Sequence, residues 1–215
     1  VPETLPASER RSGGVRDTVR VFGRLVADRV YIAYALCGGF AFAAMFAYIA
    51  GSPLVLQDAY GLSPQTFSVA FAANGLGIVA AGQLSGRLAG RVAPRRLLRA
   101  GLALSLTGAV SLLIAVLAGA GLAAVLPSLF LVVGSLGLIM PNSSALAMAA
   151  WPPAVAGRAS ALLGLLQFVI GGAVSPLVGV AGSDTALPMA IVIASLSSAA
   201  VLAYVGTRAR PVPAA

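Results

Sequence analysis

The sequence predicts an all-α fold that crosses a membrane six times. Of its 215 residues, 59% are hydrophobic and only 9% are charged, too few charges to keep a soluble fold of this size in solution. The apolar residues come in runs of about 20 or more, long enough to cross a hydrocarbon core of about 30 Å as helices. These runs show no period-two polarity and are rich in Ala, Leu and Gly, so each must satisfy its own backbone hydrogen bonds as a helix.

Six apolar runs define the predicted helices, which form one bundle over residues 30–206. They are Tyr31 to Leu56, Phe67 to Leu84, Leu97 to Ala118, Leu122 to Trp151, Ala159 to Val180 and Leu187 to Val205. Ser63 is a good N-cap and Pro64 a good first helical residue, so the second helix is predicted to start there. The segments that flank the bundle are an Arg-rich stretch at 1–29 and a tail at 207–215.

The Arg-rich stretch contains a second helical pattern, between Gly14 and Asp28. Its apolar residues share one face and its arginines another; the apolar set is Val15, Val19, Phe22 and Val26, and the basic set is Arg16, Arg20 and Arg24. This pattern is typical of a short helix lying in the membrane interface. An ordinary charged linker explains the same residues equally well.

The net charge of +8 is distributed unevenly, and its location predicts the topology. All 14 basic residues are Arg, and they lie before the first span, between the second and third, between the fourth and fifth, and after the last. With six spans, these segments share one face of the membrane, so the positive-inside rule places both chain ends on the cytoplasmic side. The membrane is expected to be a bacterial-type inner membrane. The arginines are therefore topology determinants and contacts for anionic headgroups rather than a nucleic-acid site.

The residue inventory argues against an enzyme. The chain contains no His, which removes His-based serine proteases, zinc sites and haem ligation. No pair of carboxylates lies within a span, and no Asn-Pro-Ala motif of a water channel is present. Cys37 is the only cysteine, so no internal disulfide forms. We predict no catalytic residues, metal or cofactor.

Four segments resemble the drug:proton antiporter branch of the major facilitator superfamily, of the bicyclomycin and chloramphenicol resistance (Bcr/CflA) type. They are VPETLPASERR (Val1 to Arg11), FAYIAGSPLVLQDAYGLSPQTF (Phe46 to Phe67), GQLSGRLAGRVAPRRLL (Gly82 to Leu98) and GRASALLGLLQF (Gly157 to Phe168). The resemblance implies the C-terminal half of a twelve-helix transporter that rocks about a central site. The opening at Val1 rather than Met also predicts a fragment, and the resemblance implies that the missing part is the N-terminal six-helix half.

The third of these segments is similar to the superfamily's cytoplasmic loop motif, with one departure. The motif commonly has an acidic residue where Gly86 stands, and that acid would pair with arginines across the cytoplasmic face. Without it, the basic residues of the loop lack an acidic partner in their own segment; they are Arg87, Arg91, Arg95 and Arg96.

The first span carries a candidate substrate-binding stripe. Its members fall at steps of four and three on one helical face and gather the polar and polarizable atoms of the span: Tyr34, Gly38, Ala41, Met45, Tyr48 and Ser52. Such a face suits an amphipathic drug, because Met and aromatic surfaces give tolerant contacts and hydroxyls fix orientation. A tyrosine belt with ordinary helix packing is the alternative explanation.

Other polar and small residues have mainly structural interpretations. Asn142, directly after Pro141, is either part of the substrate site or an interhelical hydrogen-bonding group, whereas Asn74 and Gln167 are more often the latter. Gly82, Gly86 and Gly90 recur every four residues. This spacing predicts a small-residue face on which another helix packs closely, or a gating contact.

The function that follows is proton-coupled efflux of small molecules, an expectation carried by the resemblance. The implied partners are an amphipathic drug, protons, the lipid bilayer and the missing half. All six acidic residues lie in loops or at helix ends, so the proton-coupling carboxylate is expected outside this segment. The alternatives are a metabolite or sugar exporter of the same superfamily and a non-transporting six-span assembly partner.

Overall fold

A computed structural model describes residues 14–179 and 185–207, and the regular structure in that part of the chain is entirely helical. Its α-helices are α1 (Val15–Ala27), α2 (Arg29–Ser52), α3 (Pro64–Leu88), α4 (Pro94–Leu117), α5 (Leu122–Gly134), α6 (Leu136–Met148), α7 (Pro153–Gly179) and α8 (Leu187–Gly206). A π-helical segment, Pro53–Ala59, extends α2. The predicted all-α class is confirmed, while the predicted segments at 1–13 and 208–215 lie outside the described residues.

Six helical segments in the described chain are long and apolar enough to span a membrane, as predicted. They are Arg29–Ala59, Pro64–Leu88, Pro94–Leu117, Leu122–Met148, Pro153–Gly179 and Leu187–Gly206. The second begins where the sequence predicts, because the Ser63 hydroxyl accepts a hydrogen bond from the Thr66 backbone N–H at 3.2 Å. The fifth begins six residues earlier than its predicted start at Ala159, since Pro153 is well suited to the first turn of a helix.

The fourth span is interrupted between α5 and α6. Ser135 separates the two helices, and Pro141 lies within α6. Pro141 has no backbone N–H to donate within its helix. Its ring also crowds the carbonyl four residues earlier, at Gly137, which is close to Ser135. Ser135 itself keeps right-handed helical backbone angles, so α5 and α6 together form one span.

The helices surround two clusters of buried side chains, one at each end of α2. Toward the α2 C-terminus, Tyr48 and Leu56 pack with residues of α4, α5 and α8. Toward its N-terminus, Tyr31 and Tyr34 pack with residues of α1, α4, α6 and α7. Burial of these side chains fixes α2 at the centre of the bundle, in contact with α6, α7 and α8.

The helices α3 and α7 lie on opposite flanks of this arrangement. The main contacts of α3 are with α5 and α6, while those of α7 are with α2. These two helices are the least buried of the six spans. Large apolar side chains on both, including Leu76, Val79, Leu165 and Phe168, are therefore exposed.

Candidate functional site

A cavity next to the predicted stripe lies between α2, α3 and α6. It has a volume of about 430 Å³ and an almost entirely apolar lining. Its walls are formed by Phe42, Met45, Ile78, Gly82, Leu136, Gly137, Met140 and Pro141. A cavity of this size and chemistry suits a small apolar or amphipathic molecule.

A close crossing of α3 and α6 forms the back of the cavity. A Cβ atom on Gly137 would collide with the backbone of α3, at the Ile78 carbonyl and 2.5 Å from the Gly82 nitrogen. Gly134 also approaches α3, since a Cβ there would lie 3.7 Å from the Gly77 carbonyl carbon. The absence of side chains at these positions lets the two backbones touch, as small residues do in membrane helix pairs.

Three phenylalanines connect the cavity wall to α7. The Phe42 ring centroid lies 5.1 Å from that of Phe46 and 5.4 Å from that of Phe168, in an edge arrangement with the latter. Phe46 and Phe168 are 6.0 Å apart and perpendicular. Phe168 is also largely exposed, so this aromatic cluster continues from the cavity onto the open flank of the bundle.

Of the predicted substrate-binding stripe, only Met45 lines this cavity. Tyr34, Tyr48 and Ser52 are buried within the bundle itself. The Tyr48 hydroxyl accepts a hydrogen bond from Asn74 Nδ2 at 2.8 Å, and its ring stacks on Phe71 at 5.5 Å. The placement favours helix packing for these two tyrosines and for Asn74, the alternative given above.

Ser52 and Tyr34 occupy opposite ends of the same helix. Ser52 Oγ is buried without a hydrogen-bond partner among the described residues, directly before the π-helical segment. The Tyr34 hydroxyl accepts a hydrogen bond from Arg95 Nε at 2.9 Å. Tyr34 therefore ties α2 to the start of α4.

Asn142 points into the contact between α6 and α3 rather than onto an open polar face. Its Nδ2 donates to Ser85 Oγ at 2.8 Å and to the Leu138 carbonyl at 2.7 Å. Both amide hydrogens are thus used within the bundle. These bonds favour the second of the two interpretations of Asn142, an interhelical hydrogen-bonding group.

Gln167 is placed differently from the other amides. It is half-buried on α7 and makes no hydrogen bond within the described residues. A Cβ on Gly38 would lie 4.0 Å from Gln167 Nε2 and 2.7 Å from Ser143 Oγ, so a polar amide and a hydroxyl flank α2 one turn from Phe42. A polar amide therefore lies about one turn of α2 away from the apolar cavity.

The predicted glycine row divides into three different environments. Gly82 lines the cavity at the crossing with α6. Gly86 has no neighbouring atom within 4 Å of its Cβ position. Gly90 corrects the prediction, because α3 ends at Leu88 and Gly90 takes a left-handed φ of +81° in the turn beyond it. The row is therefore not one continuous packing face.

The arginines of the loop motif are mostly free of partners within the described chain. Arg87, Arg91 and Arg96 are exposed, and no ion pair involving them is present in residues 14–179 and 185–207. Arg95 is half-buried through its bond to Tyr34.

Several cavity residues were missed by the sequence reasoning. Phe42 and Met140 are the clearest cases, and Phe168 adjoins them. A signal was available, since Phe42 is one turn from Met45 and Met140 precedes the proline of α6. The predicted stripe follows the hydroxyl-bearing residues of α2, whereas the cavity is lined by the apolar and sulfur-bearing residues next to them.

Comparisons with known proteins agree with this architecture. The profile of the Major Facilitator Superfamily matches residues 1–176. The chain belongs to the major facilitator superfamily. Its six apolar helices are then those of a multi-pass membrane protein, and membership of a transporter family points to a transporter rather than an enzyme.

Two curated relatives match over nearly the whole chain. An MFS-type transporter of Bacillus subtilis, YdgK, is 36% identical over 204 residues, which are 95% of this chain and 50% of that protein. A bicyclomycin resistance protein homolog of Haemophilus influenzae is 26% identical over 204 residues, 95% of this chain and 51% of that protein. The chain spans about half the length of both relatives.

Proposed function

We propose that this chain is the C-terminal half of a proton-coupled exporter of amphipathic small molecules, drugs among them. The cavity at Phe42, Met45 and Met140 is the observation that carries the proposal. Its lining offers dispersion contacts and the polarizable sulfur of Met, which tolerate ligands of varied shape. One relative's name, bicyclomycin resistance protein homolog, is in keeping with a drug as substrate.

The polar spot at Gln167 and Ser143 complements the apolar cavity. An amphipathic molecule seated against Phe42 would reach the free amide of Gln167 with one polar group. We therefore assign Met45 and Met140 to the apolar part of the ligand and Gln167 to its polar part. Asn142, Tyr34 and Tyr48 instead position the helices, because the Asn142 amide nitrogen and both tyrosine hydroxyls are already bonded within the bundle.

A sugar or polar metabolite is a weaker candidate for the same cavity. Sugars need many hydrogen-bonding groups, and an unpaired hydroxyl in an apolar site costs about 1 to 3 kcal/mol. An assembly partner that transports nothing would leave the cavity and the unbonded Gln167 without a use.

We assign proton coupling to the N-terminal half of the proposed complete transporter. Among the described acids, Asp17 pairs with Arg158 at 2.8 Å, Asp28 caps α2, and Asp58 is exposed in the π-helical segment. None of the three lines the cavity. A carboxylate that takes up and releases protons during transport needs a desolvated position within the membrane.

The test is export of an amphipathic dye by the complete transporter, measured in vesicles that carry a pH gradient. Met45→Ala and Met140→Ala should raise KM several-fold, because each removes part of the apolar wall. Met148→Ala is the matched control, since this methionine of α6 lies outside the cavity. An equal effect of all three variants, or export that ignores the pH gradient, would contradict the proposal.

A further inference from the structure

The helix α1 has an exposed apolar surface that the bundle leaves uncovered. Val15, Val19 and Val26 are 83%, 63% and 51% exposed, whereas Val21 and Leu25 are buried against α2 and α7. At 100° per residue, the three exposed valines fall within one narrow sector of the helix. Three large apolar side chains in a row are costly to leave in water.

The neighbouring sector of α1 is basic. Arg16, Arg20 and Arg24 are exposed, while the acid of this helix, Asp17, is held by Arg158 of α7. The free charge that α1 presents is therefore positive. A helix with adjoining apolar and arginine faces matches a surface that offers hydrocarbon beside negative charge.

Several contacts tie α1 to the end of a membrane span. Asp28, the residue that joins α1 to α2, accepts hydrogen bonds from the Val30 N–H at 2.9 Å and from Trp151 Nε1 at 3.1 Å. The Arg24 guanidinium lies 5.8 Å from the centroid of the Trp151 ring. Tryptophan favours the boundary between headgroups and acyl chains, so these contacts place α1 at the bilayer surface.

We propose that α1 is a lipid-binding helix whose Val15, Val19 and Val26 enter the acyl region while Arg16 and Arg20 hold anionic headgroups. The occupant of this surface is the bilayer itself, on the side that carries the arginines. Continuity with α2 and the match of charge both favour the membrane over a protein partner. This surface is separate from the cavity and does not depend on the transported substrate.

The test uses two adjacent labelling positions in a Cys37→Ala background. The positions are Val26→Cys and Ala27→Cys. Both residues are exposed and lie 100° apart around the helix axis, the first on the apolar sector and the second between the arginines. An environment-sensitive fluorophore is attached at each position of the full-length protein, which is then reconstituted in lipid nanodiscs. Lipid-borne quenchers should act mainly on position 26 and iodide in the buffer mainly on position 27.

The charge component is tested by changing the lipid and the arginines. Quenching at position 26 should rise when phosphatidylglycerol replaces part of the phosphatidylcholine. The double variant Arg16→Gln, Arg20→Gln should remove this rise, since each arginine near an anionic membrane surface strengthens membrane binding about fivefold. The matched control is Arg96→Gln with Arg99→Gln, exposed arginines at the start of α4 that remove the same charge.

Each outcome decides the proposal. Iodide access at position 26, or protection from both quenchers as a covering protein surface would give, overturns lipid binding by α1. An equal response in both lipid mixtures overturns the role of anionic headgroups, and so does an equal loss in the control double variant. The proposal is supported if lipid-borne quenchers act at position 26 and their effect in anionic lipid depends on Arg16 and Arg20.

Discussion

At the scale of single residues, the hydrogen bond from Asn74 to Tyr48 links α3 to α2. We expect Asn74→Leu and Tyr48→Phe each to lower the free energy of unfolding by about 0.6 to 2 kcal/mol, the range for such bonds in membrane proteins. The double variant should lose less than the sum, because one interaction is removed in both. Chemical denaturation in detergent measures the cycle.

A second polar pair provides the control for this cycle. Ser105 and Ser197 lie 3.1 Å apart between α4 and α8 and share no partner with Asn74. Ser105→Ala combined with Asn74→Leu should therefore give an additive loss. Full additivity of Asn74→Leu with Tyr48→Phe would show that the bond contributes nothing measurable.

At the scale of helices, the crossing of α3 and α6 depends on Gly137. Gly137→Ala forces a methyl group into the backbone of α3, and we expect it to destabilise the protein by about 1 to 3 kcal/mol, as overpacked cores do. Gly86→Ala is the matched control, with open space at its Cβ position. It should be neutral or stabilising by up to about 1 kcal/mol, since Ala favours helix.

Thermal unfolding followed by size-exclusion chromatography separates these two alanine variants. A fall in midpoint for Gly86→Ala as large as that for Gly137→Ala would mean that any glycine in this region is required. Unchanged stability of Gly137→Ala would contradict the close crossing.

At the scale of the whole molecule, the positions of the arginines predict the orientation in the membrane. In a Cys37→Ala background, cysteines at Ala59 and Ala120 should react with an impermeant thiol reagent added outside intact cells. A cysteine at Ala93, in the Arg-rich turn between α3 and α4, should react only after permeabilisation. All three positions are exposed, so differences in labelling report sidedness. Labelling of position 93 from outside would reverse the assignment.

The exposed flanks lead to a further prediction at this scale. Without a second six-helix half, the cavity lacks one side and the large apolar residues of α3 and α7 face lipid. We expect no export of dye from cells that express only this chain, although it inserts in the membrane. Export restored by co-expression of an N-terminal half would support the proposed assembly. Robust export by the chain alone would indicate a homodimer instead.

The sequence predicted the fold more completely than the site, for physical reasons. Run length and polarity determine where helices cross, so the six spans and the start of α3 at Ser63 were found from local information. The site depends on which faces meet. Packing among α2, α3 and α6 sets the orientation of α2 about its axis, which buries Tyr48 and leaves Met45 at the cavity. The residue pattern of a single helix does not contain this information.

Under the proposed function, the close crossing at Gly137 also limits how the range of ligands changes over evolution. The back wall is main chain, and a side chain added there displaces α3 before it reshapes the cavity. Selection for a new ligand would then act through the side chains in the wall, such as Phe42, Met45 and Met140. Variants that alter ligand preference should accumulate at these three positions, while Gly137 stays unchanged.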